Sequence, residues 1–194
     1  MEKNRIISGC KVLILGGSAG SLEILMHILP LLSPISSFAF VIILHRKSAE
    51  DSLLENLIAL KATIPVKEVE DKVALLPGFI YIAPSDYHLL FEKDNLLSLD
   101  ISEKINHSRP SIDVSFESAA EIYGPSLVGI LVSGANSDGT AGLKAIKNAG
   151  GTIIVQNPKT AAISFMPQHA VLNTTPDYIL EIDEILELIN LINT

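Results

Sequence analysis

Apolar positions along the chain fall into short uninterrupted runs separated by segments of helical spacing. Val12 to Leu15 is the first run. Gly16-Gly17 cuts it off, and Ser18-Ala19-Gly20-Ser21 opens a segment whose apolar positions, Leu22, Leu25, Met26, Leu29 and Leu32, recur with helical spacing. This predicts a buried strand, a tight turn and a helix. Phe38 to Leu44 (FAFVIIL) repeats the signal, too short for a helix and β-branched at Val41, Ile42 and Ile43; it ends in His45-Arg46-Lys47. Ser48 and Asp51 form a helix-start box ahead of Leu54, Leu57 and Ile58. Pro65 to Glu70 alternates as a short strand. FIYIA (79–83), HLLFE (88–92) and LLSLD (96–100), parted by Pro84-Ser85-Asp86 and Lys93-Asp94-Asn95, predict an antiparallel meander.

Beyond the meander the alternation resumes. Ser111 is a candidate N-cap for a helix whose apolar positions are Ile112, Phe116, Ala119, Ala120 and Tyr123, closed by Gly124-Pro125. Leu127 to Val132 reads as a strand running into the glycine-rich turn Ser133 to Gly139. A helix over Leu143 and Ile146 then stops at Gly150-Gly151. Thr152 to Gln156 is another strand, followed by a short helical stretch at His169 to Leu172, a strand near Tyr178 to Leu180, and an amphipathic helix through Ile182, Ile185, Leu186, Ile189 and Ile192. Strands alternating with amphipathic helices predict one α/β domain over residues 1–194, with residues 1–10 a short extension. Its expected form is a three-layer α/β/α sandwich on a mostly parallel, doubly wound sheet, with the meander inserted.

Composition narrows the function. With 48% hydrophobic and 19% charged residues, the 194-residue chain can bury a sizeable core. A net charge of -8 gives no basic footprint for nucleic acid. The single Cys10 forms no intramolecular disulfide or cysteine-based zinc site, which fits a reducing cytoplasm. Ile7-Ser8-Gly9-Cys10 resembles a lipoprotein cleavage box, but MEKNRII lacks the apolar stretch such a box requires. No run approaches the roughly 20 apolar residues that span a bilayer, so a cytoplasmic protein without membrane insertion is expected.

In parallel α/β sheets the functional crevice lies outside the carboxyl ends of the strands. Ser18, His45 and Asp138 each stand just beyond such an end. A nucleophile, a base and a carboxylate so placed can form an acyl-transfer triad, and Gly16, Ser18 and Gly20 match the G-x-S-x-G nucleophile elbow. Singly, each has a plainer reading: Ser18 as a helix cap, His45 as a hydrogen-bonded strand end, Asp138 as the N-cap of the helix beginning at Thr140. Their conjunction favours catalysis. A dinucleotide fingerprint would place glycine at Ser18 and an acidic residue where His45 stands, and no Gly-Lys-Ser or Gly-Lys-Thr supports a P-loop. An α/β-hydrolase order would pair Ser18 with Asp138 and the late His169, although that fold sets several strands before its nucleophile.

The blocks ILGGSAGS (14–21), VIILHR (41–46), LPGFIYIAPSDYHLL (76–90), SRPSIDVSFESAA (108–120), VSGANSDGTAGL (132–143) and VQNPKTAAISFMPQHAV (155–171) resemble, in order, those of the CheB-type chemotaxis methylesterase domain. The resemblance implies a Ser18-His45-Asp138 triad that hydrolyses γ-glutamyl methyl esters on chemoreceptor cytoplasmic helices, often with deamidation of receptor glutamines. It implies no metal or organic cofactor. It also points to the backbone N–H of Ala135 as an oxyanion donor, where methionine is usual. Ala19 and Ser21 depart from the usual S-T-G-G after the nucleophile.

Many relatives carry an N-terminal receiver domain. About ten residues precede the first strand here, so activity without phosphorylation is expected. An acidic protein meeting a glutamate-rich helix needs local positive charge, for which Arg46, Lys47 and Arg109 are candidates. A methyltransferase or a separate response regulator is a further candidate partner. The alternative is a docking module of the same fold without turnover.

Overall fold

The computed structural model describes residues 7–46 and 51–192. Strand β1 (Val12–Gly17) leads into helix α1 (Ser21–Ile28), and β2 (Ala39–Leu44) is followed by α2 (Asp51–Lys61). Next come β3 (Val66–Glu68), β4 (Val73–Ala74), β5 (Ile80–Ile82), β6 (His88–Glu92) and β7 (Leu96–Asp100). Alternation returns with α3 (Ile112–Tyr123), β8 (Leu127–Leu131), α4 (Thr140–Asn148), β9 (Thr152–Gln156), α5 (Phe165–Asn173), β10 (Tyr178–Leu180) and α6 (Ile182–Ile192). The expected helix-start box at Ser48 lies outside the described residues.

Seven strands form one sheet in the order β10-β9-β8-β1-β2-β5-β3, every neighbouring pair parallel. The apolar runs are uninterrupted because both faces of this sheet are covered. Leu13 and Leu15 of β1, Phe40 and Ile42 of β2, and Val128 and Ile130 of β8 pack on the side of Leu25, Ile58, Ile185 and Ile189, from α1, α2 and α6. Alternate residues Val12, Ile14, Val41, Ile43 and Leu131 face the opposite layer, with Phe116 of α3, Ile146 of α4 and Met166 of α5. The result is the expected three-layer α/β/α sandwich.

The meander is corrected in one strand: HLLFE and LLSLD pair antiparallel as expected, but FIYIA does not join them. FIYIA supplies β5, which pairs in parallel with β2 (Phe40 opposite Ile80) and with β3. The antiparallel sheet instead has the order β4-β7-β6. All three residues of β5 are buried, the condition of an inner strand in a covered sheet rather than of a hairpin with one wet face.

The order of the sheet sets where a site can form. From β1 the chain turns through α1 on one face toward β2, and from β8 through α4 on the other face toward β9. Adjacent strands whose connections depart in opposite directions leave a crevice at their carboxyl ends. Here that crevice lies between β1 and β8, with β2 alongside β1.

Candidate active site

Ser18 follows the last residue of β1, and its backbone N–H donates to Ser133 O at 2.9 Å, tying it to the loop after β8. The left-handed residue of this turn is Gly20 (φ 84), where a Cβ would stand 2.7 Å from Ser133 Oγ. Ser18 itself is not among the residues with positive φ, so the turn differs from a strained nucleophile elbow despite the matching glycines. Ser21 is buried and donates its hydroxyl to Ser133 O at 2.8 Å. The Ser133 hydroxyl donates to Ala19 O at 2.8 Å and accepts from Ile163 N at 2.9 Å, while Ser133 N donates to the buried Gln156 Oε1. The nucleophile loop is therefore pinned at Ser18, Ala19 and Ser21 onto Ser133, which Gln156 and Ile163 hold in turn.

Parallel pairing of β1 with β2 continues past the strands: His45 N donates to Gly17 O at 3.2 Å, which sets Ser18 and His45 at adjacent strand ends. Both line a cleft of about 280 Å³ with Leu22, Leu44, Arg46, Leu54 and Leu57. The imidazole Nε2–H donates to Asp138 Oδ2 at 2.7 Å. Because β1 lies between β2 and β8, this link crosses the end of β1, where Ser18 stands. Nε2 is thereby committed to the carboxylate, and Nδ1 is the nitrogen left to take a proton. Among the described residues, Ser18 Oγ makes no hydrogen bond; catalytic hydrogen bonds often close only around substrate.

Asp138 is fully buried and receives donors on both oxygens. Oδ2 accepts from His45 and from Ile112 N (2.7 Å); Oδ1 accepts from Ser111 Oγ (2.9 Å), Asp113 N (3.1 Å) and Asn106 Nδ2 (3.3 Å). The carboxylate thus sits on the N-terminus of α3, where free backbone N–H groups and the helix dipole favour negative charge. Burial pushes this carboxyl upward, but the His45 hydrogen bond and the backbone donors outweigh it and hold it at about 2. Its neighbour Asp113 moves the other way, pushed up to about 7 by burial against the hydrogen bond from Gly142 N, with the Asp138 charge adding to the rise.

Lys47 lies outside the described residues. Arg46 turns inward: its side chain is only 4% exposed, and Nη2 donates to Ala83 O (2.9 Å) and Glu55 (3.3 Å), an arrangement unlike the expected surface docking cation. Arg109 donates to the carbonyls of Ile101 and Ser102, tying down the loop that carries Asn106 and Ser108. His169 shares a hydrogen bond with Thr140 Oγ1 and stacks on Phe165, not on Ser18. The N–H groups of Ala19 and Ala135 donate to no protein acceptor among the described residues, and Ala135 is exposed. No cluster of His, Cys, Asp and Glu among those residues is placed to hold a metal ion.

Ser108, Asn106, Asp113, Asn136, Ser133 and Gln156 were not singled out from the sequence. Their signal was faint: isolated polar residues beside strand ends, or an aspartate in a first helical turn, where Asp is common anyway.

A doubly wound α/β domain that gathers serine, histidine and aspartate at one carboxyl edge falls in the class of serine hydrolases. Within that class, the chain belongs to the CheB methylesterase family, whose pattern matches residues 13–189. A Leptospira interrogans protein provisionally named a protein-glutamate methylesterase/protein-glutamine glutaminase is 42% identical over 178 residues, 92% of each chain. The Thermotoga maritima protein-glutamate methylesterase/protein-glutamine glutaminase is 34% identical over 90% of this chain and 51% of its own length. The crystal structure of the Thermotoga maritima CheB methylesterase catalytic domain superposes with a TM-score of 0.88 at 33% identity, covering 94% of this chain and 98% of that one.

Proposed function

We propose that this chain hydrolyses γ-glutamyl methyl esters on the cytoplasmic helices of methylated chemoreceptors, with Ser18 as nucleophile, His45 as base and Asp138 as its orienting carboxylate. The observation that carries this reading is the His45 Nε2 to Asp138 link across the end of β1. A carboxylate fixed by α3 holds one tautomer, with the proton on Nε2 and the lone pair on Nδ1.

The steps follow from that tautomer. Nδ1 takes the Ser18 proton as Oγ attacks the glutamyl carbonyl, and negative charge develops on the carbonyl oxygen beside the free N–H groups of the Ala19 and Ala135 loops. Collapse of this intermediate breaks the bond to the methoxy oxygen, which receives the proton from Nδ1 and leaves as methanol. Water then attacks the acyl-enzyme, Nδ1 accepts its proton, and the glutamate carboxylate is released as Ser18 regains its hydrogen. An amide substrate would pass through the same steps with ammonia leaving, which is the glutaminase activity named for the relatives.

Incubating the purified chain with a methylated receptor fragment, without a phosphodonor, tests the reading. Methanol release that disappears in Ser18→Ala supports it; no release from wild type under any condition, with the receptor fragment still bound, favours the docking module.

A further inference from the structure

The nitrogen of His45 that must accept the serine proton is flanked by two side chains, Ser108 Oγ at 3.3 Å and Asn136 Nδ2 at 3.4 Å. A hydroxyl can donate or accept, so Ser108 tolerates either protonation state of Nδ1. An amide nitrogen only donates. Which end of the Asn136 amide faces the ring is fixed independently, because its other end meets the backbone N–H of Asp138 at 3.1 Å and must be the accepting oxygen. Asn136 therefore presents N–H to Nδ1, an arrangement compatible with a lone pair there and incompatible with a proton.

On the other side of the ring stands the Asp138 carboxylate. The Asp138 carboxylate is 2.7 Å from Nε2, and a positively charged imidazole is the form it favours most. Asp113, in the first turn of α3, is bridged to Asp138 by the Asn106 amide; burial pushes its carboxyl up to about 7, so it adds negative charge beside Asp138 only above that pH. On the β2 side the neighbouring charges are Arg46 and Glu55 of α2, which face each other. A ring held in the charged state has no lone pair for Ser18. A donor-only group at Nδ1 disfavours a proton there without disturbing Nε2, and Asn136 is placed to supply it.

We infer that Asn136 is a positioning residue that keeps Nδ1 of His45 in its unprotonated, proton-accepting state in the resting enzyme, opposing the charge-favouring pull of Asp138. The same side chain holds the loop through Asp138 N, so one residue orients both the base and the backbone of its carboxylate partner. At 3.4 Å the contact is long, so it acts through the sign of its dipole rather than through a strong bond. It is easily displaced when Ser18 closes on Nδ1, and Ser108 Oγ can then accept a hydrogen bond from the protonated Nδ1 until that proton passes to the leaving group. This inference rests on the catalytic reading of Ser18, His45 and Asp138.

The test is Asn136→Asp, which keeps the shape and the acceptor for Asp138 N but turns an acceptor toward Nδ1. Ser137→Asp adds the same charge one residue away and controls for charge alone. The acid limb of kcat/KM against pH on the methylated receptor fragment should move upward by about one unit or more in Asn136→Asp, a loss of about tenfold at a fixed pH on that limb, and clearly less in Ser137→Asp. Asn136→Ala should move it in the same direction by less. In parallel, ¹⁵N-detected titration of the His45 ring, assigned by its loss in His45→Gln, should show the imidazolium persisting to higher pH in Asn136→Asp. The inference is overturned if the ring titration and acid limb of Asn136→Asp match wild type, or shift no more than those of Ser137→Asp. Should every variant and the wild type lack esterase activity, the catalytic reading fails, and the ring titration still decides whether Asn136 sets the state of Nδ1.

Discussion

Replacing Asp138 with asparagine removes one charge and almost no volume, and the structure indicates what that exchange costs. All five groups around the carboxylate donate: His45 Nε2 and Ile112 N to Oδ2, and Ser111 Oγ, Asp113 N and Asn106 Nδ2 to Oδ1. An asparagine must aim its NH₂ at one of these sets. With NH₂ toward Ile112, one backbone N–H is orphaned and His45 must turn its Nε2 lone pair inward, which moves the ring proton to Nδ1. With NH₂ toward Ser111 and Asp113, the Asp113 N–H loses its acceptor, the Asn106 amide keeps only Asp113, and only Ser111 can rotate to adapt. The first arrangement sacrifices fewer donors, and it is the one with the wrong tautomer.

Activity in Asp138→Asn should therefore fall by about 10⁴-fold, the scale seen when a triad histidine is held in the wrong tautomer. A buried donor left unsatisfied costs about 1–3 kcal/mol. Losing a carboxylate from a partly buried helix N-terminus costs up to ~2 kcal/mol more. Relief of the repulsion with Asp113 offsets part of this, leaving roughly 2–4 kcal/mol, or a Tm lower by roughly 5–15 °C for a domain of this size. Methanol release and a thermal melt at pH 7, run beside Ser18→Ala, make the comparison: Ser18 Oγ holds no hydrogen bond among the described residues, so that variant should lose activity and keep its Tm. An Asp138→Asn protein within tenfold of wild-type activity, or melting within a degree or two of it, would refute the assignment of both the tautomer and the α3 anchor.

His45→Ala should match Ser18→Ala and the double variant in residual methanol release, whereas His169→Ala should lose far less and keep its circular dichroism spectrum; the reverse pattern would make His169 the base. Arg46→Glu should lower the Tm through several kcal/mol of lost pairing with Glu55 and Ala83 O, so a variant with an unchanged melt and only a raised KM would contradict a buried Arg46. Asp113, pushed up to about 7, keeps a proton that the unfolded chain releases near pH 4, so its contribution to stability declines as pH rises between those values. Asp113→Asn should accordingly gain stability relative to wild type as urea unfolding is moved from pH 5 to pH 8, and a constant difference across that range would contradict it. Gly139→Ala places a Cβ 2.5 Å from Leu131 Cδ1 at φ 93, and calorimetry should show a loss of roughly 2–4 kcal/mol from strain and overpacking.

The buried strands were legible because a strand covered on both faces must be apolar at every position, so Val12 to Leu15 and Phe38 to Leu44 announce themselves without reference to their partners. Parallel strands deliver their carboxyl ends to one edge, and that rule alone was enough to single out Ser18, His45 and Asp138 across 121 positions of sequence. Ser111 was also readable as an N-cap, since its hydroxyl accepts from Val114 N within one turn. Pairing was not readable. FIYIA has the same composition whether it sits in a hairpin or beside β2, and only the crossover through α2 and β3 placed it in the large sheet. Arg46 reads as a surface cation next to a histidine, yet its environment is set by Ala83 and Glu55, which the fold brings to it. The same holds for the anchoring of Asp138 on α3 and the approach of Asn136 to His45: hydrophobic periodicity records which face of an element is dry, whereas the partner of a buried polar atom depends on which strand ends the sheet order makes neighbours.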